Sequence, residues 1–235
     1  MAKRIFSIVS VIRTLLDEQG AYASTPRIAE MLGMASKQLQ THYLGGTGLW
    51  RPRPGVDLNT ECRLALAPFL RDLFYEKEQA GVTEPTNLLE ATGDFNLPLR
   101  FRYSTSAEVE GAVAPVEWLD EHAKTHRLNC PIKGPTPDRP LISQRTAVAG
   151  LRRCRLHPAS CPNLTLQYYE LVPEPVYAES YASGNPEYDD AASVDTGWGE
   201  EHEPELITRT LRLLGVSLRD GMMQQAANLL TQENN

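Results

Sequence analysis

The stretch WGEEHEPELITRTLRLLGVSLRDGMMQQAANLL, residues 198–230, determines how the end of this chain folds. Glutamates crowd its start, where the unsatisfied amides of a first helical turn stabilise carboxylates, and Pro204 is tolerated there because its missing donor would have no partner. Gly215 is suited to end one helix and Ser217 to cap a second. We therefore predict an amphipathic helix or two abutting helices, with no catalytic role. The apolar side chains at helical spacing are Ile207, Leu211, Leu214, Leu218, Met222, Ala226 and Leu229 or Leu230.

The composition is that of an ordinary globular protein. Of 235 residues, 41% are hydrophobic and 23% are charged, so the chain can form one large or two small domains with a buried core. No apolar run approaches the roughly 18 residues of a membrane helix, and no membrane partner is expected. A secretion signal is not expected either, because Arg13 and Asp17 interrupt the apolar N-terminal region. The apolar positions there instead fit one face of a helix: Phe6, Val9, Ile12 and Leu16.

Negative charge is concentrated in the last third of the chain. Residues 161–235 carry 3 basic and 13 acidic side chains, whereas the rest of the chain is nearly neutral. A protein that grips phosphates usually has a basic stripe, so an acidic C-terminal third should repel a nucleic-acid backbone. The simplest interpretation is a solvated acidic surface.

The spacing of the four cysteines favours reduced thiols over disulfides. Cys62, Cys130, Cys154 and Cys161 are irregularly spaced and include no CxxC pair. Cys154, His157 and Cys161 are close in sequence, and Cys130 would be the fourth ligand of a zinc ion, but these intervals match no short metal hairpin. We favour thiols beside a strand, and we expect no metal and no cofactor.

Helices are predicted in the first third of the chain. One should cover residues 3–18 and end at Gly20. A second should begin after Ser24 or Thr25, with Pro26 in its first turn.

Residues 28–40, IAEMLGMASKQLQ, resemble the helix-turn-helix of many bacterial repressors, with Gly33 making the turn. An alternative function is therefore a dimeric DNA-binding transcriptional regulator, and the plainer interpretation is an ordinary helical hairpin. In the regulator, the side chains that would read bases are Ser36, Lys37, Gln38 and Gln40.

The sequence favours no enzyme. The Gly- and Pro-rich residues 44–56 lack the lysine and hydroxyl pair of a phosphate loop, and His122 and His126 lack the carboxylate of a zinc-protease helix. No nucleophile elbow is present. Between these regions, residues 59–79 are predicted to form a helix kinked at Pro68.

From residue 96 the pattern changes to strands. Residues 97–103, LPLRFRY, alternate apolar and polar side chains as a half-buried strand does. Further strands are predicted at 112–116, 141–143, 152–156 and 164–168, with a helix at 117–127 and a turn at 133–140.

These elements predict an α+β fold with an N-terminal helical layer, a small antiparallel sheet or sandwich, an acidic extended arm and a C-terminal amphipathic helix. The predicted boundaries are 1–92 for the helical part, 93–173 for the β-rich part, 174–200 for the arm, and 201–235 for the C-terminal segment packing on the helical part. Residues 177–199, polar, acidic and aromatic, should be either mobile or an arm that orders against a partner.

The order of several short sequence motifs in this chain resembles that in the head-to-tail connector, or neck ring, proteins of tailed bacteriophages. The resemblance lies in Leu97-Pro98, in the turn PTPDRP at residues 135–140, in Tyr169 to Pro173, and in the acidic lead into a terminal helix at 200–214. It implies a structural virion protein without active site or cofactor, in a ring of about a dozen copies that joins the portal protein to tail or nozzle proteins. It also implies a location in the virion neck, in the host cytoplasm during assembly, and passage of genome DNA without specific binding.

Two hypotheses follow from that resemblance. First, the arm from Pro173 to Pro204 contacts a neighbouring subunit through its aromatic side chains, so that deleting residues 177–199 abolishes assembly and leaves the thermal transition of the monomer nearly unchanged. Second, the acidic third faces a DNA-carrying lumen. The candidate interface residues are Tyr177, Tyr181, Tyr188, Trp198, Arg209 and Arg212.

Overall fold

The chain has an α+β fold that divides into two compact units. The helical unit contains residues 1–51, 58–68 and 172–235, and the β unit contains residues 52–57 and 69–171. Segments from both chain ends therefore share one unit. A computed structural model describes residues 4–45, 60–77, 88–119, 121–130, 133–145, 152–180 and 185–216.

Five helices and ten strands are present in the described residues. The helices are α1 (Arg4–Glu18), α2 (Thr25–Tyr43), α3 (Thr60–Leu66), α4 (Glu121–Leu128) and α5 (Glu203–Leu213), with 3₁₀ turns at Ala67–Phe69 and Glu200–His202. The strands are β1 (Leu70–Lys77), β2 (Leu88–Leu89), β3 (Asp94–Asn96), β4 (Phe101–Val109), β5 (Glu117–Leu119), β6 (Leu141–Gln144), β7 (Arg153–His157), β8 (Leu164–Glu170), β9 (Glu179–Ser180) and β10 (Glu187–Tyr188). Within this described part, no helix is long and apolar enough to cross a membrane.

Helix α1 forms where the sequence predicted it and ends before Gly20, which adopts a φ of 65°. Its buried face differs from the predicted one at Phe6, which is exposed, whereas Ile5 and Ile8 are buried. The stripe is therefore rotated toward positions 5, 8, 12 and 16, which lie on one side of a helix with 3.6 residues per turn.

The predicted turn at Gly33 is wrong, because α2 is one continuous helix of 19 residues. It begins after Ser24 with Pro26 in its first turn, as predicted. An added Cβ on Gly33 would lie 3.2 Å from the Cδ atom of Pro175. The glycine thus permits close packing of the segment that follows residue 172 instead of reversing the chain.

Helix α5 packs against α1 and α2 in the helical unit. It ends before Gly215, which adopts a φ of 81°, as the sequence predicted. Its buried residues are Leu206, Thr210 and Leu211, so the stripe is shifted by one position from the predicted Ile207. The predicted continuation from Ser217 lies outside the described residues.

The β unit contains two four-stranded sheets. One has the order β2-β1-β8-β4 and the other β3-β7-β6-β5; each has one parallel pair, β1 with β2 and β5 with β6, and is otherwise antiparallel. Side chains from both sheets share one hydrophobic core, because alternate residues of the strands point to it. The fully buried members are Tyr75, Leu89, Phe95, Ile142, Cys154, Leu156, Cys161, Leu164 and Leu166.

The predicted helix at residues 59–79 is wrong. It is interrupted near Pro68, and the following residues form strand β1, which pairs with β8 from Leu70 opposite Tyr169 to Tyr75 opposite Leu164. The pairing of β1 with the distant strand β8 therefore determines the structure of residues 70–77, although their local sequence pattern predicts a helix.

Other strand predictions were correct in part. Strands were predicted where β6, β7 and β8 occur. The strand expected at residue 97 begins only at Phe101, because a turn intervenes in which the Phe101 amide donates to the Pro98 carbonyl at 3.0 Å. Residues 112–116 form turns and bends instead of a strand, and the helix expected at 117–127 is divided into β5 and α4.

Candidate functional site

The described part of the acidic arm folds onto its own helical unit. Val176 and Val194 form an antiparallel bridge with N···O distances of 2.9 and 2.8 Å, and strands β9 and β10 pair beside it. The arm is therefore a small antiparallel layer and not a free extension, although residues 181–184 lie outside the described part.

Ion pairs attach this layer to α1 and α2. The Lys37 ammonium lies 2.6 Å from the Glu174 carboxylate, and the Arg13 guanidinium lies 3.2 Å from that of Glu179. The Thr25 hydroxyl also donates to Glu179, at 3.1 Å. Since these side chains are partly exposed, each pair contributes little alone and serves mainly to position the layer.

Trp198, predicted to contact a neighbouring subunit, is instead part of the core. It is 3% exposed, and its indole Nε1 donates to the Ser36 hydroxyl at 2.7 Å. Its ring packs against those of Tyr43 and His202, at centroid distances of 5.9 and 5.1 Å. A large aromatic side chain whose polar atom has an internal partner holds the unit together and is unavailable to another protein.

The other predicted interface tyrosines also have contacts within the chain. Tyr188 lies between Phe6 and Tyr177, with ring centroids 4.9 and 5.1 Å apart. The Arg13 guanidinium lies 5.5 Å from the centroid of the Tyr177 ring. Tyr181 lies outside the described residues.

Several large apolar side chains of the same unit are exposed, and three of them lie on α1 or on the arm. Phe6, Val176 and Val194 have exposed fractions of 40%, 45% and 41%, and we call them the apolar edge. The two valines are paired directly across the bridge, and Phe6 contacts the arm through Tyr188. Neighbouring exposed apolar side chains of this kind are typical of protein contacts. The sequence pattern did not indicate this surface, because it predicted Phe6 in the core.

A groove between α2 and α5 is the other prominent surface of the helical unit. Its cavity volume is about 410 Å³. It is lined by Gln38, a predicted base-reading residue, and by Arg209 and Arg212, which were predicted to contact a neighbouring subunit. Arg209 is held by Glu205 one turn earlier, at 2.6 Å, and Arg212 is exposed. The remaining lining residues are Thr208 and Leu213.

The four residues expected to read DNA bases do not form one surface. Ser36 and Gln40 are fully buried, and the Gln40 side-chain oxygen lies 3.5 Å from the Val172 amide, which donates to it. Lys37 pairs with Glu174, and Gln38 alone of the four is exposed. Base edges are beyond the reach of a buried side chain, so the assignment of Ser36 and Gln40 as base-reading residues is wrong.

Two of the cysteines considered as zinc ligands, Cys154 and Cys161, lie in the hydrophobic core of the β unit. Burial raises the pKa of the Cys154 thiol to about 12 and also raises that of Cys161, whereas zinc binding needs thiolates. The His157 Nε2 atom lies 2.9 Å from the Ser143 hydroxyl. Among the described residues, no group of three histidine, cysteine or acidic side chains is arranged to hold a metal ion.

The β unit also contains a charged cluster that the sequence did not reveal. Buried Asp94 on β3 lies beside Arg155 and Arg153 on β7 and Arg145, which follows β6. We call these three arginines the arginine fan. The alternation of Arg153, Cys154 and Arg155 in a strand was the available signal, since it places both guanidinium groups on the face opposite the core.

Hydrogen bonds from Arg155 hold the pKa of Asp94 below its ordinary value, and the nearby positive charges act in the same direction. The carboxylate therefore remains ionised in neutral and mildly acidic solution. An ionised Asp94 fixes Arg155 in place, with both Asp94 oxygens accepting from it at 2.6 and 2.8 Å.

No protein-family model matches this chain, and no curated protein matches its sequence.

Proposed function

We propose that this protein is a structural subunit of a ring in the neck of a tailed bacteriophage, which joins the portal to the tail. The observation that supports this best is that the helical unit has two unlike surfaces, the apolar edge and the charged α2–α5 groove. A ring closes through heterologous contacts, in which two different patches of each subunit meet. The resemblance in the order of sequence phrases supports the same function.

In this proposal the partners are about a dozen copies of the same chain, the portal protein, and tail or nozzle proteins. Genome DNA passes through the lumen, and the acidic last third limits adhesion to it, because like charges repel. The subunit belongs to the virion neck and is in the host cytoplasm during assembly. The proposal includes no catalytic step and no cofactor.

No observation favours the transcriptional regulator. Its hypothesis depended on a turn at Gly33 and on four base-reading side chains. Helix α2 is continuous through Gly33, and two of those side chains are buried. The ring therefore remains our single proposed function.

The proposal is tested by the mass of the full chain in solution, measured by light scattering from dilute to concentrated protein, alone and after co-expression with the portal protein of the same phage. We expect a large closed species in at least one of these conditions, visible as a ring by electron microscopy. A stable dimer that binds duplex DNA, or a monomer that does not join the portal, would overturn the proposal.

Variants connect assembly to the proposed surfaces. The double change Val176→Glu and Val194→Glu places two charges on the apolar edge and should abolish the large species, because burying an unpaired charge in an interface is costly. The double change Leu99→Glu and Val113→Glu is the matched control, since these side chains are 86% and 85% exposed and belong to the β unit. Equal assembly by the double variant and the control would exclude the apolar edge from the contact.

A further inference from the structure

The arginine fan contains more hydrogen-bond donors than its carboxylates can accept. Arg155 occupies both oxygens of Asp94, and the Thr92 hydroxyl donates to the same carboxylate at 3.2 Å. Arg153 and Arg145 approach Asp94 only to 3.6 and 3.7 Å, distances that attract charges but are too long for hydrogen bonds.

The donors left over belong to Arg153 and Arg145. One terminal nitrogen of Arg153 donates to the Glu90 carboxylate, at 2.5 Å to each oxygen, but its buried Nε atom has no hydrogen-bond partner in the described part of the chain. Arg145 is 41% exposed, and its terminal nitrogens have no hydrogen-bond acceptor among the same residues. A buried donor without an acceptor is costly, so an additional acceptor would stabilise this site.

The charges also point to an anion. Three guanidinium groups face two carboxylates, Asp94 and Glu90, so in the described part of this cluster the positive charges exceed the negative charges by one. Asp94 is buried and bonded on both oxygens, so Arg155 is fixed before any ligand arrives, and Glu90 likewise holds Arg153. Such preorganisation lowers the entropic cost of binding.

We propose that the arginine fan binds a phosphate group of a duplex DNA backbone, without regard to sequence. A phosphate has oxygens in several directions, which suits donors from two guanidinium groups that are not parallel, and arginine is well matched to it. Contacts to phosphates position a protein on DNA without reading bases. The choice of DNA as the source of the phosphate rests on the proposed ring function, whereas the anion site itself does not.

The partial neutralisation of the fan is consistent with a ring through which DNA must move. Two of its three positive charges are balanced within the protein, and the whole chain has a formal net charge of −7. The contact is therefore weak, and its salt dependence is shallow, because it releases few counterions. DNA held this way can slide, since no contact is specific to one position.

The test measures binding of the full chain to a fluorescent duplex by anisotropy, between about 50 and 200 mM salt. Arg145→Gln is the central variant, since the Arg145 side chain is partly exposed, and the backbone hydrogen bond from its amide to the Arg153 carbonyl is retained in the variant. Arg139→Gln is the matched control: it makes the same charge change on an exposed residue of the β unit. We expect Arg145→Gln to reduce the salt slope by about one and to weaken binding about tenfold at the lower salt concentration, with little change in the control.

A second titration uses inorganic phosphate alone and follows the amide resonances of β3 and β7 by NMR. Phosphate shifts that disappear in Arg145→Gln, together with loss of duplex binding, support the proposal. Phosphate shifts without duplex binding would assign the site to a free phosphate and overturn the DNA proposal. Equal duplex binding by Arg145→Gln and Arg139→Gln, or no binding of either ligand by the wild type, would also overturn it.

The ring function and the anion site can fail separately. Arg145 does not belong to the apolar edge or the α2–α5 groove, so the Arg145→Gln variant should assemble like the wild type. Intact rings whose duplex binding does not depend on Arg145 refute the phosphate site alone. Absence of any large species refutes the ring alone.

Discussion

The indole of Trp198 donates a hydrogen bond to the hydroxyl of Ser36 at 2.7 Å, inside the core of the helical unit. These residues are 162 positions apart, and the sequence pattern predicted a different surface role for each, subunit contact for Trp198 and DNA reading for Ser36. Their bond joins the acidic segment to α2, so both residues act in folding.

Removing the acceptor should destabilise the monomer. In Ser36→Ala, the Trp198 N–H remains buried without its partner, and we expect the free energy of unfolding to fall by about 1–3 kcal/mol. Urea denaturation followed by tryptophan fluorescence measures this. Ser7→Ala, an exposed serine in α1, is the control and should change stability little. A Ser36→Ala variant as stable as the control would mean that the bond contributes nothing.

Folding and assembly should depend on different residues of the last third. Trp198→Ala is expected to lower the unfolding free energy by about 3–5 kcal/mol, because it leaves a large cavity among Tyr43 and His202. The double change at Val176 and Val194 should leave the thermal transition of the monomer nearly unchanged, since both side chains are exposed. Calorimetry on the two variants compares them. The structure thereby reverses the earlier expectation that deleting residues 177–199 spares monomer stability, because that segment includes Trp198.

Charge reversal at Lys37 distinguishes the ring from the regulator. Lys37→Glu replaces an exposed ion pair with Glu174 by a repulsion, which should cost under about 1 kcal/mol. We expect no effect on duplex binding, because α2 does not read DNA in our proposal. Anisotropy at low salt provides the measurement, and Arg145→Glu is the comparison that should weaken binding. A selective loss in Lys37→Glu would instead favour the regulator.

Asp94 should make the stability of the β unit depend on pH. Its pKa is lowered in the folded chain, so its contribution is fully present above the ordinary value of 3.8 and is lost as pH falls through the folded pKa. Asp94→Asn should cost about 3 kcal/mol at neutral pH, because the variant leaves Arg155 without its charged partner. The difference between wild type and variant should shrink below pH 3.8. Urea unfolding across this range measures it, and a constant difference would show that the carboxylate charge is not the cause.

The cysteines should divide into two reactivity classes. Burial raises the pKa of Cys154 to about 12 and raises that of Cys161, so few thiolates exist at mildly alkaline pH and neither sulfur is accessible. Cys62 and Cys130, which are partly exposed, should react with a thiol reagent in the native state. Mass spectrometry after brief labelling identifies the modified residues, with urea-unfolded protein as the fully labelled control. Rapid native labelling at Cys154 would contradict the core shown here.

The parts predicted correctly from sequence are those whose signals are local. Gly20 and Gly215 end helices through their own backbone freedom, and Pro26 marks a first turn, so these limits needed no knowledge of distant residues. The strand β1 could not be found in this way, because its partner β8 lies more than eighty residues later. The same reason explains Gly33, which lies close to Pro175, a residue distant in sequence.

The candidate surfaces depend even more on distant contacts. Phe6 is apolar and lies in a helical pattern, and only its contact with Tyr188 shows that it faces the arm. Asp94 and Arg155 are each unremarkable in sequence, and pairing of β3 with β7 places them side by side. The alternation of apolar and polar residues identified strand β7, which carries Arg153 and Arg155. It did not identify the Asp94 carboxylate that holds Arg155 in place.

Because of the division of the chain into two units, the β unit has all its residues before the helical unit does during translation. The β unit is complete once residue 171 has left the ribosome, whereas the helical unit still lacks Trp198 and α5. Domains fold as units during translation, so α1 and α2 must wait with their apolar faces uncovered while more than a hundred further residues are made. Val194 belongs to this late segment. A chain that stops before residue 194 contains Phe6 but lacks the Val176–Val194 pair, so the apolar edge is incomplete until this late segment has been made.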